Sequence, residues 1–221
     1  MGPREAKEAL FVQFARISRA LDSPKRIELL ELLAQGERSV KALASLAGLG
    51  VTNASAHLQG LLQARLVATR KEGTRVLYRL ADDQVARFLI ELRALAHARL
   101  AEVDQVVRTY VSADGDPTPV TQDELQAQLR RGSVVVVDVR PFEEYAAGHI
   151  AGAISMPLDV LESEMARLPQ DVEIVAYCRG PYCLLAPLAV RSLCQKGFRA
   201  RRFATGFPEW RLAGLPVKKA S

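Results

Sequence analysis

The sequence predicts two domains, the first mainly helical with a β-hairpin and the second α/β with a central parallel sheet. A length of 221 residues suits two domains of roughly 100 residues each. Helical periodicity dominates the first half, whereas short apolar strand patterns separated by helical segments dominate the second. Turn-forming residues and prolines lie between the halves. We therefore assign the domains to residues 1–110 and 120–221, with a linker at 111–119.

The excess of positive charge lies in the first domain. Residues 1–110 contain 17 Lys and Arg against 12 Asp and Glu, whereas residues 111–221 contain 13 of each. A basic domain beside a neutral one favours a polyanion as the partner of the first domain. No apolar run approaches the ~20 residues of a membrane span, and the N-terminal MGPREAKEALF lacks the pattern of an export signal. We expect a cytoplasmic protein with no membrane partner.

Four helices are predicted before the first strands. Apolar residues at three- and four-residue steps predict a helix over residues 3–21. Ser23, followed by a proline, predicts the start of a second helix that ends before Gly36. Two shorter helices follow, VKALASLA capped by Ser39 and VTNASAHLQGLLQ after Gly50. Two short helices joined by a tight, glycine-containing turn are a helix-turn-helix.

A hairpin and a long helix complete the first domain. The segment VATRKEGTRVLYRL has two β-rich runs around Glu72, Gly73 and Thr74, which predicts a hairpin. From Asp82 to near Tyr110 apolar residues keep helical register, which predicts one helix of roughly 28 residues at ~1.5 Å each. A helix of that length extends beyond a small domain, which favours dimerisation.

These segments resemble the ArsR-type winged-helix transcriptional repressors over about residues 10–105. The resemblance rests on LDSPKRIELLELLAQGERSV, AGLGVTNASAHLQGLLQARLV and RKEGTRVLYRL, which occur in order. It implies that the helix after Gly50 enters the major groove of double-stranded operator DNA and that the hairpin is a wing. It also implies a two-fold homodimer built from the first and last helices.

The expected DNA-binding residues are short hydrogen-bonding side chains on the recognition helix and cations around the wing turn. They are Thr52, Asn53, Ser55, His57, Gln59, Arg70, Lys71 and Arg75. Each polar residue taken alone would fit an ordinary solvated surface. For His57 two roles stay open, a DNA contact or a hydrogen bond that fixes the helix.

No metal site and no cofactor are expected. Many relatives of this type bind metals through cysteines on the helix before the recognition helix, but residues 37–41 contain no thiol. His97 is the one histidine of the last helix. A borderline or soft metal needs several converging nitrogen or sulfur ligands.

The second half resembles a rhodanese domain over about residues 118–218. The matching segments are VVVVDVRPFEEYAAGHIAGAISMP, AYCRGPYC and GFPEWRLAGLPV. The resemblance implies that Cys178 is the catalytic cysteine, at the end of a central strand, in a loop whose N–H groups converge on its sulfur just before a helix. Such a loop would stabilise a thiolate and the persulfide formed from it.

Several residues around Cys178 receive supporting roles. Arg179 either adds positive charge beside the thiol or forms a surface salt bridge, and both roles stay open. Gly180, Pro181 and Tyr182 complete the loop before Cys183. An ion pair of Asp138 with Arg140 should support the loop. His149 should hydrogen-bond a loop, and Cys194 should lie in the core.

The loop departs from the usual sulfurtransferase pattern. Gly180 comes early, Pro181 lacks an N–H group, and Cys183 stands where a basic or hydroxyl residue is usual. Thiosulfate turnover is therefore less favoured. Leu184 occupies the position of the oxyanion-binding arginine of arsenate reductases and phosphatases, which argues against both activities.

The second thiol suggests a sensor of small sulfur-containing or redox-active species. In this hypothesis Cys178 accepts sulfane sulfur and Cys183 resolves it to a disulfide or polysulfide link. Cys183 could instead be a loop residue that only packs. The predicted function is DNA-binding regulation, with repression favoured. Two alternatives stay open, an active sulfurtransferase with an attached DNA-binding domain and a plain repressor whose second domain is a dimer scaffold.

Overall fold

The computed structural model describes residues 2–112 and 115–220 and forms two compact units. The first extends to Leu89 and the second begins at Ile90. The domain boundary expected near residue 110 thus falls within the second unit, and the linker expected at 111–119 lies partly outside the described residues. No helix among the described residues is both long and apolar enough to cross a membrane.

The first unit has the predicted helices and hairpin in order, together with a short strand, β1, that the sequence did not predict. It contains α1 (Pro3–Leu21), α2 (Pro24–Ala34), β1 (Arg38–Ser39), α3 (Val40–Leu46), α4 (Val51–Gln63), β2 (Val67–Glu72), β3 (Arg75–Leu80) and the start of α5 (Asp83–Arg99). The three strands form an antiparallel sheet in the order β1-β3-β2. Leu29 of α2, Leu43 of α3 and Leu58 of α4 are fully buried and form the centre of the unit.

The helix-turn-helix and the wing follow from local chemistry. The hydroxyl of Ser39 accepts a hydrogen bond from the N–H of Ala42 at 3.3 Å and caps α3. Gly48 has a φ of +61°, which lets the chain turn sharply between α3 and α4. In the wing Glu72 pairs with Arg75, which leaves a two-residue turn. The predicted helix-turn-helix and hairpin are confirmed.

The single long helix predicted from Asp82 to Tyr110 is wrong. After α5 the backbone is extended at Leu100, with φ −114° and ψ 106°, and α6 (Ala101–Val106) and a π-helical turn follow. The break brings Asp104 to 2.9 Å from the ring of His97. In an uninterrupted helix these residues would be about 10 Å apart along the axis, so this contact requires the interruption.

The second unit is the expected α/β fold. Beyond α6 it contains α7 (Gln122–Arg131), β4 (Val134–Asp138), α8 (Phe142–Ala147), β5 (His149–Ile150), β6 (Ile154–Ser155), α9 (Leu161–Glu164), β7 (Glu173–Tyr177), α10 (Leu185–Gln195), β8 (Ala200–Arg202), α11 (Phe207–Leu212) and β9 (Val217–Lys218). Four parallel strands form the sheet in the order β6-β4-β7-β8. Strands β5 and β9 form a separate antiparallel pair. Thr121 caps α7, because its hydroxyl accepts a hydrogen bond from the N–H of Glu124 at 3.3 Å.

Two apolar cores pack against the sheet. Along β7, Ile174 and Ala176 belong to the core that contains α10, whereas Val175 and Tyr177 belong to the core that contains α11. Side chains alternate between the faces of a strand, so Cys178 follows Ala176 into the α10 core. Cys178 is thereby buried at the carboxyl end of a central strand.

Cys194 is exposed rather than part of the core. Helix α10 buries a stripe at three- and four-residue steps, which is Ala186, Ala189, Val190 and Leu193. Cys194 directly follows Leu193, the last residue of this stripe, so its side chain is rotated away from the buried face of the helix. The expectation that Cys194 is a core residue is wrong.

Candidate functional site

The candidate site is the loop that joins β7 to α10, residues 178–183, called the thiol loop below. It follows the carboxyl end of a central parallel strand, where open α/β sheets place their ligand sites. Both Cys178 and Cys183 are free thiols. The loop thus holds two sulfur atoms immediately before the first turn of α10.

Cys178 is the buried member of the pair, with 2% of its surface exposed. Its sulfur lies 3.8 Å from the carbonyl oxygen of Gly180 and 3.6 Å from that of Cys183. Burial raises the pKa of Cys178 well above its ordinary value, and the hydrogen bond with Cys183 raises it further. Cys178 is therefore a protonated thiol that donates a hydrogen bond.

Cys183 is the member of the pair whose pKa is lowered. A hydrogen bond from Cys178, N–H groups of Leu185 and Arg179, and the charge of Arg179 together lower the pKa of Cys183 from 9.0 to about 6. Its side chain is only half buried. Burial disfavours charge on Cys178, the deeper sulfur, so the pKa of Cys178 is raised while that of Cys183 is lowered.

Arg179 is held by a carboxylate that the sequence did not single out. Its guanidinium donates to both carboxylate oxygens of Glu144 at 2.7 to 3.1 Å, and Glu144 is fully buried. The sequence left two roles open for Arg179, a salt bridge or a positive charge beside the thiol. The salt bridge with Glu144 is present, and the charge of Arg179 also lowers the pKa of Cys183. The only sequence signal for Glu144 is its place in the first turn of α8.

A second buried ion pair lies at the carboxyl end of β4. Arg140 donates to Asp138 through Nε at 2.9 Å and Nη2 at 2.6 Å, and both residues are fully buried. The hydroxyl of Tyr177 donates to the same carboxylate at 2.5 Å, and Arg140 also binds the carbonyl of Gly148. Burial and Asp138 raise the pKa of Tyr177. This network joins the ends of β4 and β7.

His149 hydrogen-bonds a neighbouring segment, which is the role expected from the sequence. Its Nδ1 lies 2.9 Å from the carbonyl oxygen of Tyr145, and its ring stacks on that tyrosine with centroids 3.8 Å apart. The ring therefore fixes the end of α8 rather than lying in the thiol loop.

The outer side of the thiol loop contacts the C-terminal part of α5, and all these residues belong to the second unit. The hydroxyl of Tyr182 lies 3.0 Å from Nδ1 of His97. Arg93 forms a largely buried ion pair with Glu209 at 2.7 Å, and its guanidinium approaches Gly180. The sequence predicts that Tyr182 lies in the loop. It gives no sign of the contact with His97, which lies 85 residues earlier.

The residues expected to contact DNA lie on two surfaces of the first unit. Helix α4 buries Ala54, Leu58 and Leu61, which leaves Thr52, Asn53 and Gln59 exposed and Ser55 and His57 half buried. The side-chain amide of Gln59 donates to the hydroxyl of Tyr78 at 3.3 Å and so ties α4 to the wing.

Charges on the wing differ in their surroundings. Arg70 pairs with Glu37 at 2.6 Å and with Glu72 at 3.0 Å, so two carboxylates share its charge. Lys71 and Arg75, on either side of the turn, are exposed. Their positive charge is therefore better placed than that of Arg70 to meet a phosphate.

The low pKa of Cys183 predicts a pH profile for its alkylation. The rate constant with iodoacetamide should rise between about pH 5 and pH 7 and then level off, because the thiolate is the reactive form. Replacing Cys178 by alanine removes a hydrogen-bond donor and should shift the midpoint upward. The matched Cys178→Ser keeps a donor and should keep the midpoint low. Peptide mass spectrometry at Cys183 measures this, and a wild-type midpoint near 9 would contradict it.

Two protein-family models match the chain. The bacterial regulatory protein, arsR family, matches residues 23–69, and the rhodanese-like domain matches residues 121–213. The first match covers the helix-turn-helix, and the second covers the parallel sheet with the thiol loop.

Three curated relatives agree with this division. The HTH-type transcriptional regulator Rv0324 of Mycobacterium tuberculosis is 44% identical over 220 residues, covering 100% of this chain and 96% of the relative. The probable mercury resistance operon repressor of Streptomyces lividans is 33% identical over 42% of this chain and 75% of its own length. The human thiosulfate:glutathione sulfurtransferase is 35% identical over 43% of this chain and 94% of its own length. With a full-length relative of this kind and both domain matches in order, the chain belongs to the ArsR family of helix-turn-helix transcriptional regulators and carries a rhodanese-like domain in its second half.

Proposed function

We propose that the protein is a homodimeric repressor whose affinity for operator DNA changes when reactive sulfur modifies the thiol loop. The observation that carries this proposal is the pair of interacting thiols, Cys178 and Cys183, in a chain that also has an ArsR-type DNA-binding domain. The likeness to a mercury resistance operon repressor supports repression. The operator is double-stranded DNA.

The first unit is suited to bind DNA through α4 and the wing. Thr52, Asn53 and Gln59 provide exposed hydrogen-bonding groups for base edges, and Ser55 and His57 lie on the same helix. Lys71 and Arg75 provide cations for the backbone. Each phosphate contact makes binding weaker at higher salt, so affinities must be compared at one salt concentration.

An apolar surface on α1 supports a homodimer. Leu10, Phe11 and Phe14 expose 57%, 56% and 61% of their surface in the single chain. Neighbouring apolar side chains of this size are rarely left in water, and the resemblance to ArsR-type repressors supports a dimer in which the first helix takes part.

The chemistry of the thiol loop fits a persulfide or polysulfide signal. A thiolate attacks the outer sulfur of a persulfide R–S–SH, the S–S bond breaks, and the thiol RSH leaves, which makes a protein persulfide. The second cysteine then attacks the protein-bound inner sulfur and expels HS⁻, which leaves a disulfide between Cys178 and Cys183. The sulfane sulfur is reduced to sulfide and the two thiols are oxidised, so no further oxidant is needed.

The hydrogen bond between Tyr182 and His97 connects the thiol loop to α5. Closing a disulfide between residues 178 and 183 would reshape the four residues between them, including Tyr182. Its hydrogen bond with His97 would then change, and α5 begins in the first unit. Coupling of this kind requires two states with different DNA affinity.

A sulfurtransferase is the second candidate function, because the likeness to the human thiosulfate:glutathione sulfurtransferase spans nearly the whole of that enzyme. In that case persulfide on the thiol loop would pass to an acceptor with steady turnover. A third candidate, in which the second domain only supports the dimer, requires no reaction at either cysteine.

A DNA-binding titration, together with a measurement of sulfide release, separates the three candidates. We expect polysulfide to weaken operator binding of the wild type by about tenfold or more, and to leave Cys178→Ser and Cys183→Ser unchanged at the same salt. Tyr182→Phe should still take up sulfur, as seen by mass spectrometry, but should respond less because it lacks the hydroxyl that meets His97. Equal affinity of the wild type with and without polysulfide would refute regulation. Steady sulfide release without a DNA response would favour the enzyme.

A further inference from the structure

A cavity of about 690 Å³ lies in the first unit between the helix-turn-helix and the wing. Its walls come from Ser39 and α3, from the first residue of α4, and from β3. The lining residues are Ser39, Val40, Lys41, Ala42, Ser45, Val51, Arg75 and Val76. Val51 directly precedes Thr52 and Asn53, so the cavity adjoins the surface that we propose to bind DNA.

Two valines of the lining leave apolar surface in water. Val51 has 53% of its surface exposed and Val76 has 40%. Val51 begins α4, whose buried side chains start three residues later at Ala54. Val76 lies on the wing, opposite Lys71 in the register of β2 and β3. Both valines are therefore outside the core of the unit, and an occupant of the cavity that covers them gains the free energy of removing them from water.

The charges at the cavity favour an anionic occupant. Lys41 and Arg75 are exposed cations, and no acidic residue is among the described residues that form the lining. A suitable occupant therefore carries phosphates close to an apolar group. Double-stranded DNA meets both conditions in its major groove, where the 5-methyl group of thymine is the apolar group on the base edges. The residues at the start of a recognition helix are the ones that reach base edges.

We propose that Val51 reads the 5-methyl group of one thymine in each operator half-site, and that Lys41 and Arg75 bind phosphates beside it. Val76 adds a second apolar wall. This rests on the proposed DNA binding and adds a base preference to it. The methyl group leaves water for contact with a valine, whereas cytosine offers an amino group and no methyl group at that edge. No DNA contact was predicted from the sequence for Lys41, Val51 or Val76.

Replacing thymine by uracil tests the contact with the methyl group. A binding site is first selected with the full-length protein from duplexes of about 30 random base pairs, which is enough for two half-sites. Each thymine is then replaced, in both half-sites together, by uracil, which pairs like thymine but lacks the methyl group. We expect one position at which this replacement weakens wild-type binding by about fourfold for each half-site.

The variant Val51→Ala shows whether the lost contact is made by this side chain. It should bind the thymine duplex more weakly than the wild type, and uracil at the same position should then change its affinity by less than about twofold. The variant should fold, because Val51 is exposed and alanine favours a helix. Val217→Ala is the matched control, because Val217 is 43% exposed on β9 of the second unit, and it should keep the full effect of uracil.

The variant Lys41→Gln tests the phosphate contact separately. It should weaken binding to the thymine and uracil duplexes equally, because a phosphate contact carries no information about the base. The slope of log affinity against log salt should become shallower by about one for each half-site. A base-dependent loss in Lys41→Gln would contradict the role proposed for this lysine.

Two results would overturn the reading of thymine. Uracil could be without effect at every thymine of the selected site, or it could weaken Val51→Ala as much as it weakens the wild type. A loss in Val51→Ala that is the same for all duplexes, with no effect of uracil, would place the valine against deoxyribose instead.

The titrations contain no polysulfide, so their outcome does not depend on regulation by sulfur. If no duplex is enriched in the selection and binding is insensitive to salt, the proposed DNA binding is wrong and the reading of thymine is wrong with it. A selected site that binds equally well with uracil throughout refutes the reading of thymine alone.

Discussion

Replacing Arg140 by leucine should lower the free energy of unfolding of the second unit by about 3–5 kcal/mol. The substitution leaves the carboxylate of Asp138, which is fully buried, without its cation. Removing one partner of a buried pair costs more than the pair contributes, because the remaining charge stays out of water. Urea denaturation of the full-length protein, followed by the fluorescence of Trp210 in the second unit, measures the change.

A surface arginine provides the control for Arg140. Arg167 pairs with Glu164 on the surface, and its side chain is 77% exposed, so Arg167→Leu should change the stability by less than about 1 kcal/mol. The double variant Asp138→Asn with Arg140→Leu should recover part of the loss, because a neutral amide is cheaper to bury than a charge. Equal midpoints for Arg140→Leu and Arg167→Leu would show that the buried pair is not needed for stability.

Replacing Gly206 by alanine should displace the thiol loop. An added Cβ atom would lie 2.4 Å from the nitrogen of Gly180 and 2.6 Å from the carbonyl carbon of Arg179. Both are backbone atoms that cannot rotate away, so the loop or the start of α11 must move. We expect the alkylation rate of Cys183 near pH 7 to fall by about tenfold or more, since its low pKa depends on N–H donors in fixed positions.

The same variant should also lose about 1–3 kcal/mol of stability through overpacking. Gly50→Ala is the control, because Gly50 has a φ of −66° and nothing within 4 Å of the added atom. It should keep the wild-type alkylation rate of Cys183. An alanine at 206 with unchanged alkylation and stability would mean that the close approach to Gly180 does not hold the loop.

Local sequence signals were sufficient for the first four helices, for the hairpin, and for α7, β4 and β7. Ser39 and Thr121 mark helix starts because their hydroxyls accept from N–H groups three residues later, a contact that needs no distant partner. The strands β4 and β7 could be predicted because parallel strands buried on both faces require continuous apolar runs. The break at Leu100 could not, because the helical register of the apolar residues continues through it and the contact of His97 with Asp104 is tertiary.

The candidate site was predicted in position but not in detail. The spacing of Cys178 and Cys183 after a strand was visible in the sequence, and so was the resemblance that gives the loop its chemistry. Glu144, 35 residues before its partner Arg179, carried no distinguishing signal. The exposure of Cys194 was also missed, because the sequence alone does not show where the buried stripe of α10 ends.

The sequence by itself determined the two domain types, the order of the first four helices and the hairpin, and the presence of two cysteines after a buried strand, because capping, periodicity and motif spacing are properties of neighbouring residues. The tertiary structure alone decided the surroundings that shift the pKa of each thiol. The thiol pKa depends on water access and on the N–H groups and charges that surround each sulfur. Those surroundings come from α10, from Arg179 and from the depth of each cysteine in the core, and they exist only after the chain has folded.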